Sequence, residues 1–259
     1  MPMFDYFLNR KAVIFDLDGT ISDTEKVWHD AISKTASKEL SIAYIEFHDL
    51  DRGMSLHDKW TQITKELAPN TDVKIDYLAQ KTFDNLLVSL EKPGLEIEPK
   101  EGFWELAAYL KTELKYKIAL ATNSYRDAAT AIINKLEIGG IFDYEIYGNE
   151  IKHSKPNPEI YQKCAAELGV KSNEVLVIED SLIGAFAAQK AGMEALIMIK
   201  NEEEIEKFPE NCVDFSYDFV MFARNIGKEY KDMMFDPETQ QKVIELFNKL
   251  NLNVGNAKE

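Results

Sequence analysis

Residues 11–20, with the sequence KAVIFDLDGT, constrain the fold most, because an apolar run ends abruptly in two aspartates, a glycine and a threonine. Such a run predicts a buried strand that delivers Asp16 and Asp18 to one edge of a sheet. By itself the segment also suits a turn, since Asp-Gly is a common turn dipeptide. Three later segments of similar character make the turn interpretation the weaker one.

Short apolar runs recur along the chain with helical segments between them, a pattern that predicts a parallel α/β sheet. Amphipathic stretches at residues 101–110 and 158–168 predict two helices that pack against this sheet. The predicted strands are residues 12–15, 117–121, 145–147, 175–178 and 195–199.

The segment from Asp23 to Glu98 has no strand pattern and several amphipathic stretches, such as residues 73–90. It predicts an all-helical insertion with hinges near residues 22–24 and 93–99. Ligands of α/β proteins bind at the carboxyl edge of the sheet, so an insertion directly after the first strand can act as a lid.

We therefore divide the chain into three parts: an α/β core of residues 1–22 and 98–226, a helical cap of residues 23–97, and an appended segment of residues 227–259. Within the appended segment, residues 236–250 predict a helix that packs on the core or, alternatively, binds a partner. The last residues, 251–259, are expected to form a loose tail.

The acidic composition limits the partners of the chain. Its 30 basic and 45 acidic side chains give a formal charge of -15, which repels nucleic acids and anionic membranes. An anionic substrate would need local positive charge or a bound cation to offset this field. The sequence has no apolar signal core and no apolar run long enough to span a membrane. Its two cysteines, Cys164 and Cys212, suit free thiols in a reducing compartment, so we expect a cytoplasmic protein. We also expect it to be a monomer.

Four segments together resemble the signature motifs of the haloacid dehalogenase-like (HAD) hydrolase superfamily over roughly residues 1–225. They are residues 11–20, 118–124, 154–159 and 175–181. The sequences DGTISDTE, KPNPE and IEDS are similar to the β-phosphoglucomutase-like branch, whose helical cap lies between the first two motifs. The resemblance implies a Rossmann-like parallel sheet core with an inserted all-helical cap domain.

The resemblance also implies roles for the first motif. Asp16 would attack phosphorus and form an aspartyl-phosphate that water later hydrolyses. Asp18 would protonate the leaving-group oxygen as general acid and then activate water as general base. Gly19 permits the sharp turn between them and the following segment.

The second and third motifs supply candidate phosphate ligands. Thr122, Asn123 and Ser124 follow a predicted strand and can donate hydrogen bonds to phosphoryl oxygens, although Thr122 read alone also suits a helix N-cap. Lys155 lies in a loop stiffened by Pro156 and can neutralise charge in the transition state.

The fourth motif predicts a metal site. Glu179 and Asp180 end a predicted strand, and together with Asp16 they offer hard oxygen ligands that suit Mg²⁺. The resemblance implies that Asp18 adds its backbone carbonyl. Asp180 or Ser181 could also cap the following helix, and the two roles are compatible.

Two cap residues bear on the substrate. Mutases of this branch carry a histidine at the position where Trp28 aligns. His29 is the next residue, and one step along a helix turns the side chain by about 100 degrees, so His29 cannot simply replace that histidine. Trp28 therefore belongs to the cap core or to a pocket wall. Arg52 resembles a cap position that reaches the distal part of the substrate, or else is an exposed arginine.

These residues predict a Mg²⁺-dependent phosphatase that acts on a small phosphorylated metabolite through an aspartyl-phosphate. Two alternatives remain: a hexose-phosphate mutase like β-phosphoglucomutase, and a catalytically silent HAD-like binding protein.

Overall fold

A computed structural model describes residues 9–46, 52–220 and 241 of the chain. Six strands form one sheet in the order β3-β2-β1-β4-β5-β6, and every neighbouring pair is parallel. This sheet confirms the predicted α/β class. The strands are β1 Ala12–Phe15, β2 Lys117–Thr122, β3 Tyr144–Tyr147, β4 Val175–Glu179, β5 Glu194–Met198 and β6 Cys212–Ser216.

All five predicted strands are present, and β1 begins and ends as predicted. The sixth strand, β6, was not predicted. It lies at the edge of the sheet beside β5, and four of its five residues are only partly buried. β6 therefore lacks the continuous apolar run by which a central strand is recognised.

Helices cover both faces of the sheet, because alternate residues of each strand point to opposite sides. In β1, Val13 and Phe15 pack in one apolar cluster, and Ala12 and Ile14 pack in the other. All four residues are buried, which explains their unbroken apolar run. The helices of the core are α4 Phe103–Thr112, α5 Arg126–Lys135, α6 Glu159–Leu168 and α7 Leu182–Lys190.

Three helices lie between β1 and α4, and the described residues of 23–97 contain no strand. These helices are α1 Glu25–Leu40, α2 Leu56–Leu67 and α3 Ile75–Leu90. They enclose an apolar cluster of their own, formed by Ile32, Ala36, Ile45, Trp60, Ile63 and Leu78. We refer to α1–α3 as the cap; its limits at residues 23 and 97 remain a prediction.

The predicted C-terminal helix at 236–250 and the tail at 251–259 fall outside the described residues, apart from the single residue Gln241. In the part of the chain that is described, no helix has the length and apolarity needed to cross a membrane.

Candidate active site

The candidate site lies where the carboxyl ends of three neighbouring strands meet. β1 pairs with β2 on one side and with β4 on the other. Asp16 follows β1, Thr122 is the last residue of β2, and Glu179 is the last residue of β4. Because parallel strands end at the same edge, their polar terminal residues converge there, as the sequence predicted.

Lys155 is the cation of this edge and comes from the loop before α6. Its side chain is fully buried, and Nζ donates hydrogen bonds to Asp16 Oδ1 at 2.7 Å, Glu179 Oε1 at 2.7 Å and the Ala121 carbonyl at 2.9 Å. Burial alone would lower the pKa of Lys155, but the Asp16 and Glu179 carboxylates outweigh it and raise the pKa well above its usual value. Lys155 is therefore charged.

Glu179 is surrounded by donors on both oxygens. Besides Lys155, Oε1 accepts from the Tyr161 hydroxyl at 3.0 Å. Oε2 accepts from the Asp180 and Ser181 amides, both at 3.0 Å, and from the Ser181 hydroxyl at 2.8 Å. Burial raises the pKa of Glu179, but Lys155 and the Ser181 donors more than offset it, so the pKa lies below its usual value. To bind a metal directly, Glu179 would have to give up one of these donors.

Asp16 and Asp180 have a different environment. Burial raises the pKa of Asp16 well above its usual value; Lys155 opposes this effect, and the carboxylates of Glu179 and Asp180 reinforce it. Burial likewise raises the pKa of Asp180 to about 8, with further contributions from Glu179 and Glu25. A bound cation is the usual way to keep such crowded carboxylates ionised.

The donor set fits Mg²⁺. Asp16, Glu179 and Asp180 each offer one carboxylate oxygen, and these atoms lie within 4.8 Å of one another. Hard oxygen ligands of this kind suit Mg²⁺. Gly19 keeps the space beside Asp180 open: it has φ +87°, and a Cβ atom there would come within 2.1 Å of Asp180 Oδ2.

The carboxylate of Asp18 is held from both the cap and the core. Oδ1 accepts from the Thr24 hydroxyl at 2.5 Å and from the Trp28 indole N–H at 2.8 Å. Oδ2 accepts from the Ser124 hydroxyl at 2.7 Å. Trp28 lines the pocket and packs in the apolar cluster of Val13 and Phe15, not in the separate cluster of the cap, which agrees with the pocket-wall interpretation and not with cap core.

The residues after β2 brace the surrounding loops. Asn123 accepts from the Lys155 amide at 3.1 Å and donates to the Gly53 carbonyl of the cap at 2.7 Å. The Thr122 hydroxyl accepts from the Ser124 amide at 3.0 Å, but the N-cap of α5 is Tyr125. The N-cap interpretation of Thr122 was therefore wrong.

Ser181 caps α7, since its hydroxyl accepts from the Gly184 amide at 3.1 Å. Ser181, and not Asp180, is therefore the cap, so Asp180 stays available as a metal ligand. One residue of the fourth motif therefore starts the helix while its neighbour faces the site.

Arg52 is mostly buried, so the interpretation as an exposed arginine was wrong. Its Nη2 lies 2.9 Å from Glu204 Oε2, and their side chains are only 10% and 4% exposed. Glu204 belongs to a run of three glutamates that resembles a solvent-exposed segment, so this pair could not be predicted from the sequence.

A cavity of about 150 Å³ lies between the cap and this edge of the sheet. The core lines it with Asp16, Asp18, Lys200 and the Thr122-Asn123-Ser124 segment. The cap contributes mainly charged and aromatic side chains, among them Glu25, Trp28, His29, Arg52 and Lys59. The predicted site residues of the core thus lie together at this edge of the sheet, and Arg52 faces the same cavity from the cap.

Comparison with known proteins gives the family of the chain. Residues 13–198 match the family model described as haloacid dehalogenase-like hydrolase. A "Phosphorylated carbohydrates phosphatase" of Thermotoga maritima is 30% identical over 195 residues, which cover 72% of this chain and 83% of the relative.

Solved structures share the fold. CbbY from Rhodobacter sphaeroides, crystallised with phosphate, has a TM-score of 0.69 at 20% identity, covering 81% of this chain and 95% of that one. A β-phosphoglucomutase from Clostridium difficile has a TM-score of 0.69 at 23% identity, covering 92% and 99%. The chain belongs to the haloacid dehalogenase-like hydrolases, an enzyme family, and has the fold of their β-phosphoglucomutase-like branch.

Proposed function

We propose that this hydrolase is a Mg²⁺-dependent phosphatase that cleaves a small phosphorylated carbohydrate through an aspartyl-phosphate at Asp16. The observation that carries the proposal is the pairing of two carboxylates from one loop. Lys155 holds Asp16 by Oδ1, and three donors hold Asp18 two residues further on. Among the described residues no hydrogen bond engages Asp16 Oδ2, which leaves that oxygen to react.

In the first half-reaction, Asp16 Oδ2 attacks phosphorus and the bond from phosphorus to the ester oxygen breaks. Asp18 donates its proton to that oxygen, so the leaving group departs as an alcohol. In the second half-reaction, water attacks phosphorus and loses a proton to Asp18. The bond from phosphorus to Asp16 breaks, which restores both carboxyl groups and releases phosphate.

Charge neutralisation comes from fixed groups at the sheet edge. Lys155 supports Asp16, and the hydroxyl and amide groups of Thr122, Asn123 and Ser124 can donate to phosphoryl oxygens. Asp16, Asp180 and the Asp18 carbonyl would hold Mg²⁺, with Glu179 beside them. When bound, the ion would screen the phosphoryl charge from the acidic site.

Two features support a carbohydrate phosphate as the substrate. The relative from Thermotoga maritima is named for phosphorylated carbohydrates. In this chain, Glu25 lines the cavity, and its buried Oε1 has no hydrogen-bond partner among the described residues. A sugar hydroxyl can donate to that oxygen, since buried acceptors need partners. Arg52 lines the same cavity and would contact the substrate beyond its phosphoryl group.

The direct experiment measures hydrolysis of 4-nitrophenyl phosphate with Mg²⁺ and with EDTA, in the wild type and in Asp16→Asn. We expect activity only for the wild type with Mg²⁺. Asp23→Asn is the matched control, because Asp23 lies in the same segment but is 69% exposed. Undiminished activity of Asp16→Asn, or full activity in EDTA, would contradict the proposal.

The mutase alternative is separated from hydrolysis by its product. Trp28 stands where the mutases carry a histidine and donates its indole N–H to Asp18, which supports water as the acceptor. Incubation with β-glucose 1-phosphate and a bisphosphate primer should release phosphate. Formation of glucose 6-phosphate without free phosphate would identify a mutase instead.

A further inference from the structure

Trp28 brings an aromatic N–H donor from the cap to the acid/base carboxylate. Its indole N–H lies 2.8 Å from Asp18 Oδ1, and the residue is 8% exposed. We propose that Trp28 is a positioning residue that fixes the Asp18 carboxyl so that Oδ2 exchanges the proton with the substrate. This inference depends on the proposed function, because it needs Asp18 to act as acid and base.

The hydrogen-bond chemistry distinguishes the two oxygens. An indole N–H can only donate, so Oδ1 must accept from Trp28. Oδ1 also accepts from the Thr24 hydroxyl at 2.5 Å, and these two donors occupy its lone pairs. Oδ2 instead has a single hydrogen-bond contact among the described residues, with the Ser124 hydroxyl at 2.7 Å. Oδ2, and not Oδ1, therefore has room to exchange a proton with the substrate.

Trp28 is well suited to hold this orientation. It lies on the first turns of α1 and packs in the same apolar cluster as Val13 and Phe15 of β1, so cap helix and sheet fix the ring together. A packed indole has few rotamers to lose, and its hydrogen bond to Asp18 becomes charge-assisted as the carboxyl group gives up its proton. The carboxyl plane of Asp18 is thereby set before the substrate arrives.

The positioning matters most when the leaving group needs a proton. As the bond from phosphorus to an alkyl oxygen breaks, the proton moves from Asp18 Oδ2 to that oxygen, which would otherwise leave as a strongly basic alkoxide. A 4-nitrophenolate leaves without a proton. Loss of the Trp28 contact should therefore slow alkyl esters more than aryl esters.

The test compares Trp28→Phe with the matched control Trp60→Phe. Trp60 is a fully buried cap residue whose indole N–H donates to the Thr82 hydroxyl at 2.9 Å, so its variant also loses one buried indole donor. The measurement is the first-turnover release of alcohol from sorbitol 6-phosphate and of 4-nitrophenolate from its phosphate, on one preparation. The ratio of the two rates does not depend on the folded fraction.

We expect the ratio of alkyl to aryl release to fall about tenfold in Trp28→Phe, the effect of one charge-assisted hydrogen bond, and to stay unchanged in Trp60→Phe. Equal slowing of both substrates in Trp28→Phe, or the same fall in Trp60→Phe, would overturn the proposal. If Trp28→Phe does not fold, the benzothienyl analogue of tryptophan is placed at position 28, because it keeps the shape of the side chain but lacks the N–H. It must lower the ratio of alkyl to aryl release by the same factor. A wild type inactive on both substrates would refute the phosphatase itself.

Discussion

The buried cation at the sheet edge gives the sharpest test of how the site is held together. Lys155→Met keeps most of the apolar stem but removes the ammonium group. The side chains of its partners Asp16 and Glu179 are only 6% and 1% exposed, so two nearly buried carboxylates lose their counter-charge. The hydrogen bond to the Ala121 carbonyl at 2.9 Å is lost as well.

Removing one partner of a buried ion pair costs about 3–5 kcal/mol, because the remaining charge is left uncompensated. We therefore expect Lys155→Met to lower the free energy of unfolding by about that amount without Mg²⁺. With a urea m-value of about 3 kcal/mol/M, the unfolding midpoint should fall by about 1 M or more. Adding Asp16→Asn should recover part of the loss, since one of the two uncompensated charges disappears.

The assay is urea unfolding in EDTA, followed by circular dichroism. Lys81→Met is the control: Lys81 pairs with Asp84 at 3.4 Å on the surface of α3, where both side chains are at least 40% exposed. Exposed pairs contribute about 1 kcal/mol or less. A loss for Lys155→Met no greater than that for Lys81→Met would refute the view that this cation holds the site together.

Three further predictions concern the metal and the substrate. Because folded Asp180 keeps its proton up to a pKa of about 8, above the usual 3.8, the Mg²⁺-free protein should lose stability as the pH rises between these values. The gain in melting temperature from Mg²⁺ should therefore be larger at about pH 8 than at about pH 6, and equal gains would contradict this. Gly19→Ala should weaken Mg²⁺ binding, measured by calorimetry, because its Cβ would meet Asp180 Oδ2 at 2.1 Å. Gly140→Ala is the control and should leave Mg²⁺ binding unchanged, because Gly140 has a similar φ of +81° but no atom within 4 Å of an added Cβ. Glu25→Gln should reduce kcat/KM by about tenfold for a sugar phosphate but little for 4-nitrophenyl phosphate, and an equal reduction for both would exclude Glu25 from sugar recognition.

The sheet and its polar edge could be predicted because the signals are local. Each central strand is a short apolar run, and polar residues such as Asp16 and Thr122 stand where such a run ends. Parallel strands bring those ends together without further information. The edge strand β6 was missed because partial burial breaks up its apolar pattern.

The contacts that orient the site could not be predicted, because they join residues far apart in sequence. Tyr161 donates to Glu179 from α6, and nothing in the pattern around Tyr161 distinguishes it from a core residue. Glu204 was hidden in an acidic run, although it is buried against Arg52 of the cap. Such pairs depend on how the cap and the core are packed, which periodicity does not specify.

The measurement that tests the central claim most directly is the location of the phosphoryl group during turnover. The enzyme is mixed with substrate and Mg²⁺, quenched in acid within the first turnover, treated with borohydride and digested with trypsin. Cleavage after Lys11 and Lys26 isolates residues 12–26, which contain Asp16, Asp18 and Asp23. We predict that Asp16 alone is converted to homoserine, the product of a reduced aspartyl-phosphate, and that Asp16→Asn shows no modification. Full turnover with Asp16 unmodified, or with the label on another residue, would contradict the account.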